Sequence, residues 1–210
     1  MGRRPSGESP ANKEKILDKA IELFAEKGYA DVTMREIAQA VGIQASSIYN
    51  HYTGKEAILD AIADYFTQEL QEQVYPHFAT GGDPEAGMEV GEFIGNVVGA
   101  NTVFFAVPQY AKIGKIIFRE QFRSERIRRL LLEELIVRPR QILASYFERL
   151  IRAGKMRPVD YDQAAREFHA FFIYEFYENS LAGRIDEEPD ARALEAREEH
   201  IHLFLRTFCP

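Results

Sequence analysis

Apolar residues recur every three or four positions along nearly the whole chain. Ile16, Leu17, Ala20, Ile21 and Phe24 form the first stripe. That spacing places them on one face of a helix. Asn12 is positioned to cap its start and Gly28 to end it. Thr33-Met34-Arg35-Glu36 then reads as a capping box: the Thr hydroxyl accepts from the third backbone N–H, and the Glu reaches back to the cap. It opens a short helix with Ile37 and Ala38 inward and Val41 one turn on, and Gly42 breaks that helix. Ile43 re-enters the core, and a third helix is predicted over residues 44–49. Ile58, Leu59, Ile62 and Phe66 predict a longer helix from Lys55 to about Val74.

Pro76 and the run Thr80-Gly81-Gly82-Asp83-Pro84 mark a break. Helical spacing resumes over residues 85–105, through Met88, Phe93, Ile94, Val97, Val98, Phe104 and Phe105. Pro108 starts another helix with Tyr110, Ile113, Ile117 and Phe118. Residues 124–152 read as one long segment that Pro139 should kink, ended by Gly154. Asp160 caps a helix rich in Phe, a loop spans 183–189, and a last helix carries Leu194, Ile201, Phe204, Leu205 and Phe208. No strand-like alternation of any length appears. The expected fold is all-α: an arm at 1–11 without fixed structure, a three-helix helix-turn-helix domain at 12–58, and a helical domain at 59–210.

Two short helices joined by a glycine turn and packed on a longer one describe a helix-turn-helix, a DNA-reading device. The charge neither supports nor excludes that partner. The chain carries −7 overall, but residues 1–60 carry only −1 and the remaining 150 carry −6. DNA contact would therefore depend on local placement of charge. The single cysteine, Cys209, excludes an internal disulfide and a thiolate metal cluster. No run reaches the length of a membrane span, and the N-terminal residues lack the apolar stretch of a secretory signal. A cytoplasmic protein without cofactor or metal is expected.

The chemistry concentrates in Ser46-Ser47-Ile48-Tyr49-Asn50-His51-Tyr52-Thr53-Gly54-Lys55 and the residues just before it. Gln44 can address adenine through two hydrogen bonds, Ala45 can touch a thymine methyl, and Ser46 and Ser47 can donate or accept. Tyr49, His51 and Tyr52 bring donors on stiff rings, suited to flanking phosphates. Lys55, in the first turn of the next helix, makes an anion site together with the free backbone N–H groups there, and Thr33 offers the same on the other side.

The block from Lys15 to Leu59 resembles the DNA-binding domain of tetracycline-repressor-like (TetR/AcrR) transcriptional regulators. The resemblance is carried by Phe24 with Gly28-Tyr29, Thr33-x-x-Glu36-Ile37-Ala38, Val41-Gly42-Ile43 and Ser47-Ile48-Tyr49-x-x-Tyr52-x-x-Lys55-Glu56. It implies that Thr33, Tyr49, His51 and Lys55 touch phosphate and that Gln44, Ala45, Ser46 and Asn50 lie at bases or backbone. The sequence departs from the family at Gln44, where a capping Ser is common, at Ala45 for a frequent Lys or Arg, and at Ser46 for a frequent Gly. The resemblance further implies a helical C-terminal domain that dimerises and binds a small effector, and repression rather than activation of a palindromic operator.

For the dimer, the last two helices are the candidates, through Phe168, Phe172, Phe176, Leu194, Ile201, Phe204, Leu205 and Phe208. A mostly apolar effector is expected among Phe93, Val97, Phe104, Phe105, Ile117, Phe118 and Phe122. Asn101, Gln109, Tyr110, His169 and Tyr174 would orient it. An enzyme is disfavoured: no HExxH, P-loop, G-x-G-x-x-G or G-x-S-x-G occurs. His200 and His202 lie two apart, so a helix points them in nearly opposite directions. The alternative reading is a helical adaptor that binds protein instead of DNA.

Overall fold

The computed structural model describes residues 10–80, 90–185, 187 and 189–209. Among them are eleven α-helices and one π-helical segment, with no strand. The expected arm, apart from its last two residues, lies outside the described residues, as do Met88 and the run 81–84. Helix α1 (Pro10–Lys27) starts two residues before Asn12, and Gly28 ends it with φ 92°. Helix α2 (Met34–Val41) carries both bonds of the capping box, and Gly42 closes it in the left-handed region at φ 78°. Helix α3 (Ala45–Ile48) is a single turn with Gln44 as its N-cap, and α4 (Lys55–Gln73) follows.

Pro76 does not break the chain. It sits at the second position of α5 (Tyr75–Thr80), where a missing N–H costs nothing because first-turn N–H groups have no helical acceptor. Helices α6 (Val90–Ala106) and α7 (Pro108–Glu120) meet at 88°. No single described helix is long and apolar enough to cross a membrane.

The long segment expected at 124–152 is three pieces: α8 (Glu125–Leu130), the π-helical Leu131–Val137 and α9 (Arg138–Arg152). Pro139 lies in the first turn of α9, and the wider π turn before it absorbs the hydrogen bond the proline cannot make. Helices α10 (Tyr161–Leu181) and α11 (Ala191–Phe208) complete the chain. Asp160 and Asp190 cap them, accepting from Gln163 and Ala193 N–H at 3.0 and 2.8 Å.

The core is continuous from head to body. Ile16, Ile21, Phe24, Ile37 and Ile48 are closed over by Ile58 and Ile62 of α4. The same helix carries Phe66, Leu70 and Val74 into the body, where Phe93, Tyr146, Phe147, Phe168 and Phe204 gather. Helix α1 lies along α7: Gln109 donates to Asp18 at 3.2 Å, and Arg119 donates to the Ala25 carbonyl at 2.8 Å. Arg126 of α8 pairs with Asp64 of α4.

Candidate nucleic-acid interface and internal cavity

One buried side chain organises the head. Ile48, fully buried, anchors the single turn of α3, so Gln44, Ala45, Ser46, Tyr49 and Asn50 all face solvent around it. Gln44 makes no cap bond with its side chain, which leaves its amide unengaged. Ser47 is half-buried. Tyr49 is 55% exposed, an unusual placement for a ring that could pack inward.

Four expected contacts are changed by their neighbours. Lys55 does not present its charge outward. Its ammonium donates to the carbonyls of Tyr29, Ala30 and Val32 at 2.6, 3.1 and 2.8 Å and lies 4.5 Å from the Tyr29 ring centre. It closes the loop between α1 and α2. Tyr52 is buried, with Lys13 at 5.7 Å from its ring centre, because the small core needs a ring at that corner. His51 turns inward, and its Nε2 is buried with no hydrogen-bond partner. Thr33 is exposed, but its hydroxyl proton already goes to Glu36 at 2.9 Å.

The Thr33–Glu36 pair has an electrostatic signature. The Thr33 backbone N–H, the Lys27 ammonium (3.1 Å) and the Thr33 hydroxyl all donate to the Glu36 carboxylate. These bonds, the backbone one first, lower its pKa to about 2. Arg35, exposed in the first turn of α2, is a further basic group beside this surface. A basic residue inside a capping box is the signal that would have found it.

In the body, a cavity of about 760 Å³ lies between α6, the π segment, α10 and the start of α11. Of the candidate effector residues, Val97, Asn101, Phe105, His169 and Tyr174 line it. The other proposed pocket residues do not. Phe93 stacks on Tyr146 at 3.6 Å between ring centres, and Ile117 is fully buried in the core. Phe104 and Tyr110 stack on each other at 4.1 Å, and the Tyr110 hydroxyl donates to Glu69. Burial, then that carboxylate, pushes the Tyr110 pKa up. Gln109 is engaged with Asp18, Phe118 packs edge-on to Phe176 and Tyr177, and Phe122, 83% exposed, sits in the turn after α7.

Part of the expected dimer stripe belongs to the interior. Phe168 and Phe204 are buried and pack on each other at 4.9 Å, and Phe172 and Phe176 line the cavity. Ile201, Leu205 and Phe208 are partly buried against the core. The apolar surface of α10 and α11 is instead Leu181, 78% exposed, with Tyr174, Leu194 and Leu203.

Two carboxylates on the cavity wall are ion-paired. Arg197 donates to both Glu175 oxygens at 2.9 and 3.0 Å and to Thr102 at 2.8 Å. Arg138 pairs with the buried Glu134 at 3.0 Å, and the Tyr75 hydroxyl donates to the same carboxylate at 2.9 Å. Burial and Glu134 raise the Tyr75 pKa. His169 is shifted down to about 4, by burial first and by the Arg140 charge second. Among the described residues no group of three or more His, Cys, Asp or Glu is placed to hold a metal ion.

Comparison with known proteins places this arrangement. Residues 16–62 match the family described as bacterial regulatory proteins, tetR family. Residues 97–210 match the AefR-like transcriptional repressor C-terminal domain. The HTH-type transcriptional repressor KstR2 of Rhodococcus jostii is 39% identical over 84 residues, 40% of this chain and 41% of that protein. The chain thus spans less than half the length of the curated relatives it matches. The solved structure of the ketosteroid transcriptional regulator KstR2 of Mycobacterium tuberculosis superposes with a TM-score of 0.66 at 20% identity, covering 99% of this chain and 100% of that one. AibR in complex with isovaleryl coenzyme A and operator DNA gives 0.63 at 20% identity, covering 91% and 97%. At such identities the likeness is one of fold. These relatives are transcriptional regulators, not enzymes.

Proposed function

The chain belongs to the tetR family of bacterial regulatory proteins, and on that premise we propose that it is a homodimeric repressor, released from a palindromic operator by a small, mostly apolar effector. The observation that carries the reading is the single turn of α3, pinned by buried Ile48, with Gln44, Ala45, Ser46, Tyr49 and Asn50 all free at the surface. We assign DNA reading to residues 12–58 and effector binding and dimerisation to 59–210, in the cytoplasm. Gln44, Ala45, Ser46 and Ser47 meet base edges. Tyr49 and Asn50 hold flanking phosphate. Arg35 and the open N–H groups of α2 serve the phosphates on the other side. Lys55, Tyr52 and His51 position this surface from behind.

Two heads are needed to read a palindrome, and we place the second copy against α10 and α11, where Leu181, Leu194 and Leu203 are exposed apolar side chains. The 760 Å³ cavity has the size and lining of a small-molecule site. Helix α4 joins the two, with Ile58 in the head and Leu70 on the cavity wall. An effector that favours a different tilt of α4 weakens operator binding, and the operator weakens effector binding equally. AibR, on the same fold, is solved with both a small molecule and operator DNA.

Affinity capture of fragmented genomic DNA, beside Tyr49→Ala, tests the reading. Enrichment of a short palindrome by the wild type alone, weakening steeply with salt, is the expected result. Capture of no palindrome at low salt from effector-free protein shifts the balance to the adaptor alternative.

A further inference from the structure

Nearly every polar side chain on the inner wall of the cavity is already committed to a protein partner. Glu134 has Arg138 and Tyr75, and Glu175 has Arg197, which also holds Thr102. Asn101 donates to the Val97 carbonyl at 2.9 Å, and Asn179 accepts from Arg184 at 3.5 Å. His169 is the exception: it is partly buried on the wall, and no described residue hydrogen-bonds to its ring. Each wall carboxylate that is not exposed therefore has its own arginine; the other charged residues lining the cavity, Glu178, Arg184, Glu187, Asp190 and Arg192, are all exposed, so the partly buried wall has no cation left over for an anionic ligand. Arg140 lies off the wall, yet its charge acts on His169.

We propose that the cavity selects an uncharged, largely apolar molecule, and that His169 reads that molecule's hydrogen-bond acceptor, a carbonyl oxygen. This rests on the effector reading of the cavity and adds its chemistry. A neutral imidazole has one N–H to give, and an oxygen acceptor completes it. The Arg140 charge, which acts on His169, disfavours a cationic head beside that imidazole. A carboxylate entering the cavity gives up its hydration without a contact cation, which costs more than one hydrogen bond returns.

The test uses ligands of one shape that differ only at the head. Tridecan-2-one, dodecanoate and protonated dodecanamidine share an undecyl chain and a planar three-atom head that is neutral, anionic or cationic, and tridecane lacks the head. Acetylnaphthalene, naphthoate and naphthamidine, with ethylnaphthalene, repeat the series on a ring. Binding of each to the full chain is read by calorimetry and melting shift, and binding of operator DNA to the same preparation is read separately. The ketones should bind at least about tenfold more tightly than the charged members of their series. His169→Leu should bring each ketone down to its hydrocarbon, a loss of about three- to tenfold. Equal or tighter binding of a carboxylate or an amidine overturns the proposal and leaves the effector reading in place, as does a His169→Leu protein that keeps the ketone preference. If no member of either series binds, the proposal and the apolar-effector reading both fall, while the operator measurement still reports on DNA reading. The wild-type ranking decides the charge selection even if His169→Leu does not fold.

Discussion

Lys55 and Tyr49 stand six residues apart, and the structure gives them opposite work. Lys55 holds three loop carbonyls in a half-buried site. Removing it leaves those acceptors short of a charged donor, so Lys55→Met should lower folding stability by about 2–3 kcal/mol, read as a shift of the urea midpoint. Tyr49 points into solvent. Tyr49→Ala should leave the midpoint within about 0.5 kcal/mol and weaken the captured operator roughly tenfold. A Lys55→Met protein of wild-type stability would return Lys55 to the phosphate contacts. Both residues were legible as members of the corner. Their roles were not, because a lysine in the first turn of a helix suits a phosphate and a loop carbonyl equally well.

Helix α2 is the element most completely set by local chemistry. Its capping box, its inward Ile37 and Ala38 and its left-handed Gly42 all act within a few residues. Thr33→Ala should cost about 1 kcal/mol of stability. The Glu36 carboxylate keeps its charge down to a pKa of about 2, below its ordinary value. A depressed carboxylate pKa gives stability that is fully present above the unfolded value and is lost as pH falls from about 4.5 toward 2. Acid titration of the midpoint should show that loss in the wild type and less of it in Glu36→Gln. The segment 124–152 shows the opposite case. Proline chemistry announced a disturbance near Pro139, but not that it would take the form of a π-helical segment between two helices, α8 and α9, packed on different neighbours.

At the scale of the molecule, the cavity and the head share α4, and the Tyr75–Glu134 bond ties the residues just beyond α4 to the π segment. Operator and effector should therefore oppose each other by one common factor. Titrating each in the presence of the other measures it, and unequal factors at equilibrium would exclude a shared two-state change. The cavity also makes the fold sensitive to acid. His169 is held neutral down to about 4, so between about pH 6.5 and 4 the unfolded chain binds more protons than the folded one. Stability should fall as pH drops through that window, and His169→Gln should flatten the slope.

The helix-turn-helix was determined by the sequence alone, because caps, glycine turns and helical stripes are interactions between residues three or four apart. The all-α class followed from the same periodicity. A stripe, however, says only that one face of a helix is apolar, and not what covers it. Phe168 and Phe204 went to the core, Phe172 and Phe176 to a cavity, and Phe122 to solvent, although all five are the same side chain in helical or near-helical chain. The partners of Lys55 and Glu175, and the Tyr75 hydroxyl on Glu134, likewise come from segments more distant in the chain. Those assignments depend on which helices meet, and only the tertiary structure decided that.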